Sequence, residues 1–406
     1  MQVIVAGGGV AGATSALALR RAGAEVTVYE AYTDPAGSVG SFLSLATNGL
    51  KALDALGCLE AVRAAGFDVE RQRLWADSGR LLGDTPRGRL SGEPLRSITL
   101  RRGDLVETLR ARAIGSGARI ITGERLVGAS RAGTKVRAEF ESGRTAEADL
   151  LVGADGIWSA TRRVLDAGAP EPTYAGLYTV SGVARGVDVG SGTFNMVFGR
   201  NGAFAYIPVP GGDVWWAAQV SAAEEPDLDA IDLEFLKDLY RHEEVPSALL
   251  RAVTSMQRPT LMHVLAEVPV WHDDRIVLVG DSGHPVGAGQ GASMAIEDAV
   301  VLARSLEDAP DIPSALKAYD TARRKRVAKM VKSASGNRDA KTAGPVGRRV
   351  RNLVMPVFVK LFYERATAWL FTHEVAAGWA APTLATADRV PSGHGAAGSS
   401  TGSSGA

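Results

Sequence analysis

The chain has 406 residues, which is long enough to bury a large core in two domains or in one compound domain. Basic and acidic side chains number 45 each, so the formal net charge is zero and gives no electrostatic argument for binding nucleic acid. Cys58 is the only cysteine, which excludes a disulfide within the chain and is typical of a reducing compartment.

The first thirty residues have the pattern of a β-α-β unit. Residues 3–19 carry no charge, but no basic residue precedes them, and glycines interrupt the run as they would not in a membrane span. Apolar and β-branched runs predict strands over 3–6 and 25–29, and helical spacing predicts a helix over 10–21. No other uncharged apolar run is long enough to cross a bilayer, so we expect a cytoplasmic protein without stable membrane insertion.

A glycine motif lies between the first strand and the first helix. Its sequence GGGVAG fits the pattern G-x-G-x-x-G, in which bare backbone approaches a pyrophosphate at a helix N-terminus. Glu30 ends the second strand, where a carboxylate can accept hydrogen bonds from ribose hydroxyls. The motif predicts a dinucleotide site and leaves NAD and FAD open, with these candidate contacts: Gly7, Gly9, Val10, Ala11 and Gly12.

Further along the chain, the predicted elements change in character at about residue 174. Before it, helices are predicted from Thr47 through Leu56 and from Gly103 to Ile114, with strands at 97–100, 118–121 and 149–153 and a hairpin over 127–140. After it, strand-like runs at 193–198, 203–209 and 214–220 precede two helical stretches, at 232–240 and 245–254. The β-α pattern resumes at Arg275 and the last third is helical. This order predicts a second sheet inserted between two halves of an α/β unit.

Two later motifs complete a set of three. Residues 151–163 read LVGADGIWSATRR, and residues 280–291 read GDSGHPVGAGQG. Together with GGGVAG, in this order, they resemble the single-component FAD-dependent monooxygenases of the para-hydroxybenzoate hydroxylase type, the group A flavoprotein hydroxylases. The resemblance covers about residues 1 to 335. It implies a Rossmann-like FAD-binding domain of the glutathione-reductase type, an inserted substrate domain of mixed antiparallel sheet plus helices, and C-terminal helices.

The resemblance also implies domain bounds and cofactor contacts. The FAD-binding domain would comprise 1–70, 97–173 and 265–345, and the substrate domain 71–96 and 174–264, followed by a helical segment (346–383). The composition of the last stretch, which is poor in apolar residues, predicts a disordered tail (384–406). Asp281 would bind a ribityl hydroxyl of non-covalent FAD, and backbone in the late loop would lie against the flavin ring. The implied contacts are Arg102, Asp155, Gly156, Arg162, Asp281, Pro285, Gly289, Gly291 and Ala292.

The activity implied by the resemblance is insertion of one oxygen atom from O2. Reduced flavin would form a C4a-hydroperoxide, with NADPH or NADH as a reductant that binds transiently. Hydroxylation and epoxidation stay open, as do a flavin-dependent reductase, a halogenase and a non-catalytic FAD-binding module. The protein would be a monomer or a homodimer that binds small molecules and no nucleic acid.

Alternation along the predicted strands of the inserted sheet gives candidate pocket residues. One face of each strand is either an apolar roof over a flat substrate or ordinary core. No charged residue stands out as a carboxylate clamp, so we expect a bulky, largely apolar aromatic or polycyclic secondary metabolite. The candidate roof residues are Phe194, Met196, Phe198, Phe204, Tyr206 and Trp216.

Three further features have two readings each. No catalytic side chain is assigned: His284 is a structural hydrogen-bonding group or an acid/base, and the first reading is favoured. The basic run at 323–326 is a nucleic-acid patch or, as its helical spacing favours, a solvated helix face. Residues 346–371 are amphipathic and either contact a membrane surface or dock on the cofactor domain, which is favoured.

Overall fold

The computed structural model describes residues 1–34, 41–287, 289–341 and 344–379. The predicted tail, 384–406, lies outside these residues. Within them, no helix combines the length and apolar character needed to cross a membrane. The helices are α1 Val10–Arg21, α2 Thr47–Ala55, α3 Leu59–Ala64, α4 Arg102–Gly115, α5 Ala160–Leu165, α6 Leu233–Leu239, α7 Glu244–Arg251, α8 Gly291–Asp308, α9 Ile312–Lys341 and α10 Pro345–Phe371. The strands are β1 Gln2–Ala6, β2 Glu25–Glu30, β3 Phe42–Leu45, β4 Phe67–Val69, β5 Arg71–Ala76, β6 Leu81–Pro86, β7 Ser97–Arg101, β8 Arg119–Thr122, β9 Leu126–Ala132, β10 Lys135–Phe140, β11 Thr145–Ala148, β12 Leu150–Gly153, β13 Thr173–Arg185, β14 Thr193–Phe198, β15 Gly202–Pro208, β16 Asp213–Ser221, β17 Val253–Met256, β18 Thr260–Val264 and β19 Ile276–Leu278.

A five-stranded parallel sheet forms the first layer, in the order β19-β12-β1-β2-β8. Its central strands are apolar on both faces, as buried parallel strands must be. Val3 and Val5 of β1 pack toward the helices, whereas Ile4 and Ala6 pack toward the antiparallel sheet β11-β10-β9. All five carboxyl ends therefore meet at one edge of the sheet, where α1 and α8 begin.

A larger mixed sheet forms the second unit, in the order β17-β13-β16-β15-β14-β5-β6, with β18 paired to β13. Its pairs are antiparallel except for β14 with β5. One of its faces packs on α6 and α7 around the buried side chains of Leu236, Tyr240 and Leu249. The α/β fold with an inserted sheet and C-terminal helices, expected from the sequence, is confirmed.

The C-terminal helices tie the two sheets together. Helix α8 packs on α1, α2 and α9, so it fixes the loop after β19 against the first layer. Helix α10 lies against β6 and closes the open face of the larger sheet. The space between that face, α10 and the loops of the parallel sheet becomes the site described next.

Candidate active site

The sequence motifs converge at the carboxyl edge of four neighbouring parallel strands. GGGVAG follows β1, Asp155 and Gly156 follow β12, the third motif follows β19, and Glu30 ends β2. Loops at this edge are the usual ligand site of open α/β sheets. Residues from distant parts of the sequence are thus brought to one cleft.

The three glycines that match the G-x-G-x-x-G pattern have different roles in the structure. Gly7 has a φ of +97°, and a Cβ there would lie 2.4 Å from the carbonyl oxygen of Ala154. A Cβ on Gly12 would lie 1.8 Å from the carbonyl oxygen of Gly7, so both positions are closed by the protein itself. Gly9 directly precedes α1, and a Cβ added there would meet no atom within 4 Å, so its surface is open for a ligand.

Glu30 supports this glycine turn. Its carboxylate is buried and accepts hydrogen bonds from the backbone N–H groups of Gly8, at 2.6 Å, and Tyr32, at 2.9 Å. Both carboxylate oxygens therefore already hold backbone at the edge of the cleft. Glu30 therefore fixes the shape of the glycine turn.

The second motif is a capped turn. One oxygen of Asp155 accepts a hydrogen bond from the Ser159 hydroxyl at 2.5 Å, and the other accepts bonds from the backbone and hydroxyl of Thr161. Ser159 in turn accepts from the N–H of Arg162 and caps α5. Gly156, with a φ of +75°, has open space at its Cβ position.

Arg162 joins the second motif to the third. Its guanidinium is fully buried and donates to the carbonyl oxygens of Ser282, at 2.9 Å, and Ile157, at 2.8 Å. Burial lowers the pKa of Arg162. Both Nη groups thus donate to backbone, so Arg162 connects the turn after β12 with the turn after β19.

Asp281 lies on the surface of the cleft in the turn after β19. Its side chain is exposed. The surrounding protein nevertheless raises the pKa of the carboxyl by desolvation, and the charges of His284 and Arg102 offset this rise only in part. Arg102 begins α4 and is exposed at the same cleft. The structure thus brings these two predicted contacts together.

The glycine-rich end of the third motif leads into α8. Pro285 is half-buried, and Gly289 has a φ of +75° with open space at its Cβ position. Helix α8 begins at Gly291, followed by Ala292, so its N-terminal N–H groups face the cleft edge. Backbone is therefore the exposed element in this loop.

His284 is buried in an ion network. Its Nε2 lies 2.6 Å from Oδ2 of Asp298, which also accepts a hydrogen bond from the N–H of Gly280 at 2.8 Å. The other oxygen of Asp298 accepts from Nε of Arg323 at 2.7 Å. Burial favours the neutral carboxyl, but His284 and Arg323 lower the pKa of Asp298 to about 2. This geometry supports the structural reading of His284.

The basic run on α9 is solvated only in part, which corrects the sequence interpretation: Lys325 is exposed and Arg324 half-buried, but the other two residues are not. Arg323 and Arg326 are buried, and both donate to Glu297 at 2.6 to 2.7 Å. Arg326 also donates to the carbonyl oxygens of Trp369 and Leu370 near the end of α10. The helical spacing of α9 could not predict this burial, because Glu297 and Asp298 lie on α8, in a different part of the sequence.

A cavity of about 500 Å³ extends from the loop at Gly289 to the open face of the larger sheet. Of the predicted roof residues, Phe194, Met196 and Phe198 line it. Neighbouring strands contribute small side chains to the same face, and α10 closes the far side. Those side chains are Ala203, Ala205 and Ala217 from β15 and β16, and Met355, Phe358 and Val359 from α10.

The other three predicted roof residues lie elsewhere, which is a second correction. Phe204, Tyr206 and Trp216 are buried against α6 and α7 on the opposite face of the sheet. The strand register explains this, because Met196 pairs with Ala205 and side chains of paired residues share a face. Large side chains fill the core face, whereas alanines leave room on the cavity face.

These features fit a dinucleotide cofactor with a large ring at one end. The open surface over Gly9, the N-termini of α1 and α8, and the accessible carboxylate of Asp281 suit pyrophosphate and polyol groups. The loop at Gly289 exposes backbone and lines one end of the apolar cavity. Fold and site together define a flavoprotein oxidoreductase.

The family follows from the comparison of sequences. The family model described as FAD binding domain matches residues 1–334, and the chain belongs to this family, that of the group A flavoprotein monooxygenases. It is an enzyme that uses FAD.

Named relatives act on different compounds. Aurachin C monooxygenase/isomerase from Stigmatella aurantiaca is 32% identical over 340 residues, which are 80% of this chain and 86% of that protein. Zeaxanthin epoxidase from an Oncidium hybrid cultivar is 29% identical over 358 residues, which cover 80% of this chain and only 53% of the epoxidase. The structure of Klebsiella pneumoniae HpxO with FAD and uric acid superimposes with a TM-score of 0.79 over 93% of this chain and 97% of that one. At 24% identity this likeness shows a shared fold.

Proposed function

We propose that this enzyme inserts one oxygen atom from O2 into a bulky, largely apolar aromatic or polycyclic substrate, by hydroxylation or epoxidation, with NADPH or NADH as reductant. The observation that carries the proposal is the cavity of about 500 Å³, which joins the loop at Gly289 to an aromatic and alanine-lined sheet face. A flat ring system fits between such layers. The names of the relatives, one a monooxygenase/isomerase and one an epoxidase, support the reaction class.

The geometry of the cleft supports a proposal for the cofactor contacts. Backbone at Gly9 and the N-terminus of α1 would hold the pyrophosphate, Asp281 would hold the ribityl chain, and Arg102 would lie beside it. Pro285, Gly289 and the start of α8 would border the ring. FAD supplies the redox chemistry and oxygen activation when it is bound and reduced.

The chain itself has to orient the substrate and exclude water. Phe194 and Met196 form the roof, and Phe358 and Val359 of α10 form the opposite wall. An apolar enclosure protects a reactive oxygen-transferring species from wasteful reaction with solvent. The sequence holds one dinucleotide fingerprint, used by FAD, so the nicotinamide donor would bind transiently at the cleft.

Oxygen and NAD(P)H consumption with a panel of polycyclic aromatic compounds tests the proposal. We expect at least one compound to accelerate oxidation of NADPH or NADH and to yield one oxygenated product per reductant oxidised. As a matched control, Ala217→Phe fills the cavity and should abolish this stimulation while leaving FAD content unchanged, since Ala217 lines the cavity away from the FAD-binding glycine turn. Reductant oxidation that yields only hydrogen peroxide with every compound would contradict the proposal.

A further inference from the structure

An exposed apolar stripe runs along the outer face of α10. Its side chains recur every three or four residues, which places them on one side of the helix. Val346 and Leu353 are 74% and 73% exposed, and a continuous apolar patch of this kind marks a site of interaction. The stripe comprises Val346, Val350, Leu353, Val354, Val357, Phe358, Leu361 and Phe362.

Contacts on the inner face hold the helix in this orientation. Met355 and Val359 pack against apolar side chains of β5, β6 and β14, and a Cβ added to Gly83 of β6 would lie 2.9 Å from both methyl carbons of Val359. Near the start of the helix, Arg348 donates to the carbonyl oxygen of Arg200 at 2.8 Å. Because a rotation that buried the stripe would break these contacts, the stripe is a fixed part of the surface.

The inner face of α10 is also a wall of the substrate cavity. Met355, Val359 and Tyr363 line that cavity, and Phe358 belongs to both the cavity lining and the stripe. The cavity and the outer apolar surface therefore meet at the ring of Phe358. A partner bound to the stripe would lie about one helix diameter, roughly 10 Å, from the cavity.

The rest of the sequence offers little to cover the stripe. Outside the described ranges, the large apolar side chains are Val39, Leu384 and Val390, and the other residues there are mostly small or polar. Such a composition supplies too little apolar surface to bury eight exposed side chains. We therefore look for the occupant of the stripe outside this chain.

The charges of α10 complement an anionic partner. The helix contains five basic residues and one acidic residue. Arg349 and Lys360, about three turns apart, are exposed along one margin of the stripe, and Arg365 is exposed at its C-terminal end. The one acid, Glu364, accepts a hydrogen bond from the N–H of Ser91 at 3.0 Å. The edge of the stripe is thus positively charged.

Protein partners fit this surface less well. A second copy docked across a twofold axis would bring the basic margins of two α10 helices to one interface, where like charges oppose association. Interfaces with other proteins contain about one hydrogen bond per 100–200 Å². The stripe has no side chain that can donate or accept one, and the backbone groups of a helix are paired within it.

An anionic lipid surface satisfies both the apolar stripe and the charges. Acyl chains receive apolar side chains without hydrogen bonds, and headgroup phosphates attract basic side chains beside an apolar face. Long Lys and Arg side chains can extend from that face to the headgroups. The helix has 27 residues, and no helix among the described residues can cross a membrane, so the contact would be with the membrane surface.

We infer that α10 lies in the surface of an anionic membrane, with the stripe among the acyl chains and Arg349, Lys360 and Arg365 at the headgroups. This contact uses the outer surface of one helix and does not depend on the reaction that the enzyme performs. Its position beside the cavity suits the apolar substrate class proposed above, since apolar compounds dissolve in the bilayer.

Flotation with lipid vesicles tests the contact on the FAD-loaded enzyme. Vesicles of phosphatidylcholine with about one fifth phosphatidylglycerol should bind the enzyme, and vesicles of pure phosphatidylcholine should bind it at least fivefold less. Leu353→Glu/Leu361→Glu, at two stripe positions that do not line the cavity, should lose at least tenfold in binding. The matched control Ile114→Glu/Val127→Glu adds the same charge at two exposed apolar positions elsewhere and should bind as the wild type does.

A second pair of variants tests the role of the basic margin. Without the three exposed charges, Arg349→Gln/Lys360→Gln/Arg365→Gln should bind the two kinds of vesicle within twofold of each other. Its control removes three exposed basic side chains from other elements and should keep the preference for anionic vesicles of at least fivefold. That control is Arg125→Gln/Arg137→Gln/Arg241→Gln.

A fluorescent label distinguishes insertion of the stripe from attachment by charge alone. Cys58 is the only native thiol, and its burial, which also raises its pKa, leaves the thiol of Leu353→Cys as the accessible one. A nitrobenzoxadiazole label on that thiol should shift its emission to shorter wavelengths when anionic vesicles are added. The same label on Ile114→Cys should keep its emission.

Three results would overturn the inference. One is the absence of vesicle binding by the wild type, or an equal loss in the Leu353→Glu/Leu361→Glu variant and its control. Another is a solution dimer that only this variant dissociates, which would assign the stripe to a second copy of the chain. The third is vesicle binding during which the label at position 353 keeps the emission it has in water.

Discussion

Removal of the Asp298 carboxylate should destabilise the protein more than removal of an ordinary acid. Asp298 has no exposed surface and accepts three hydrogen bonds, from the N–H of Gly280, from His284 and from Arg323, at 2.6 to 2.8 Å. In Asp298→Ala these three donors lose their acceptor in a place that water does not reach. These hydrogen bonds join α8 and α9 to the turn that carries Asp281. The substitution should therefore also destabilise that turn.

The size of the loss in unfolding free energy depends on which partners of Asp298 keep another ion pair. Breaking a buried ion pair from one side typically costs about 3–5 kcal/mol. Arg323 keeps its bond to Glu297 at 2.6 Å, so the guanidinium is not left alone and the lower end of that range applies. We therefore expect the free energy of unfolding to fall by about 3 kcal/mol.

Urea unfolding followed by tryptophan fluorescence measures this loss, because the ring of Trp271 lies 5.1 Å from that of His284. The matched control is Asp320→Ala on α9, whose pair with Arg324 is partly exposed and should be worth less than about 1 kcal/mol. A loss for Asp298→Ala no larger than for Asp320→Ala would refute the idea that this network supports the fold.

Three further predictions concern the cofactor site and its acid dependence. Gly9→Ala should fold normally, since no atom lies within 4 Å of the added Cβ, but should bind FAD at least tenfold more weakly in a titration of the apoprotein; equal affinity would contradict the assignment of the open surface. Asp281→Ala should weaken FAD binding by about 1.5–3 kcal/mol, the usual worth of a hydrogen bond to a charged group, and unchanged affinity would remove Asp281 from the site. Because the pKa of Asp298 is about 2 when folded and near 3.9 when unfolded, its stabilisation should be complete above about pH 4 and lost as the pH falls to about 2. Unfolding free energies of Asp298→Asn should thus depend less on pH in this window than those of the wild type, and equal slopes would contradict the assigned pKa.

The cofactor half of the site could be predicted from the sequence because its signals are local. A glycine turn between a strand and a helix, or an aspartate that follows a strand, is determined by residues within a few positions of one another. The parallel order of the strands then brings such turns to one edge without further information. The residues after β1, β12 and β19 illustrate this.

The substrate half depends on contacts between distant residues. Alternation gives two faces for β14 and β15, but only the register, Met196 with Ala205, decides which face meets the cavity. The prediction favoured large side chains as cavity lining, but Phe204 fills the core and the neighbouring alanines line the cavity. The sequence around Arg323 predicts a solvated side chain, because its partners Glu297 and Asp298 lie on another helix, α8.

Incorporation of molecular oxygen is the most direct test of the central claim. The FAD-loaded enzyme is incubated under 18O2 with NADPH or NADH and a compound that stimulates reductant oxidation, and the product is analysed by mass spectrometry. We expect a product that carries one 18O atom, with the second atom recovered in water. A product without the label, or one formed equally under argon, would show that the enzyme does not insert oxygen from O2 and would contradict the assignment as a monooxygenase.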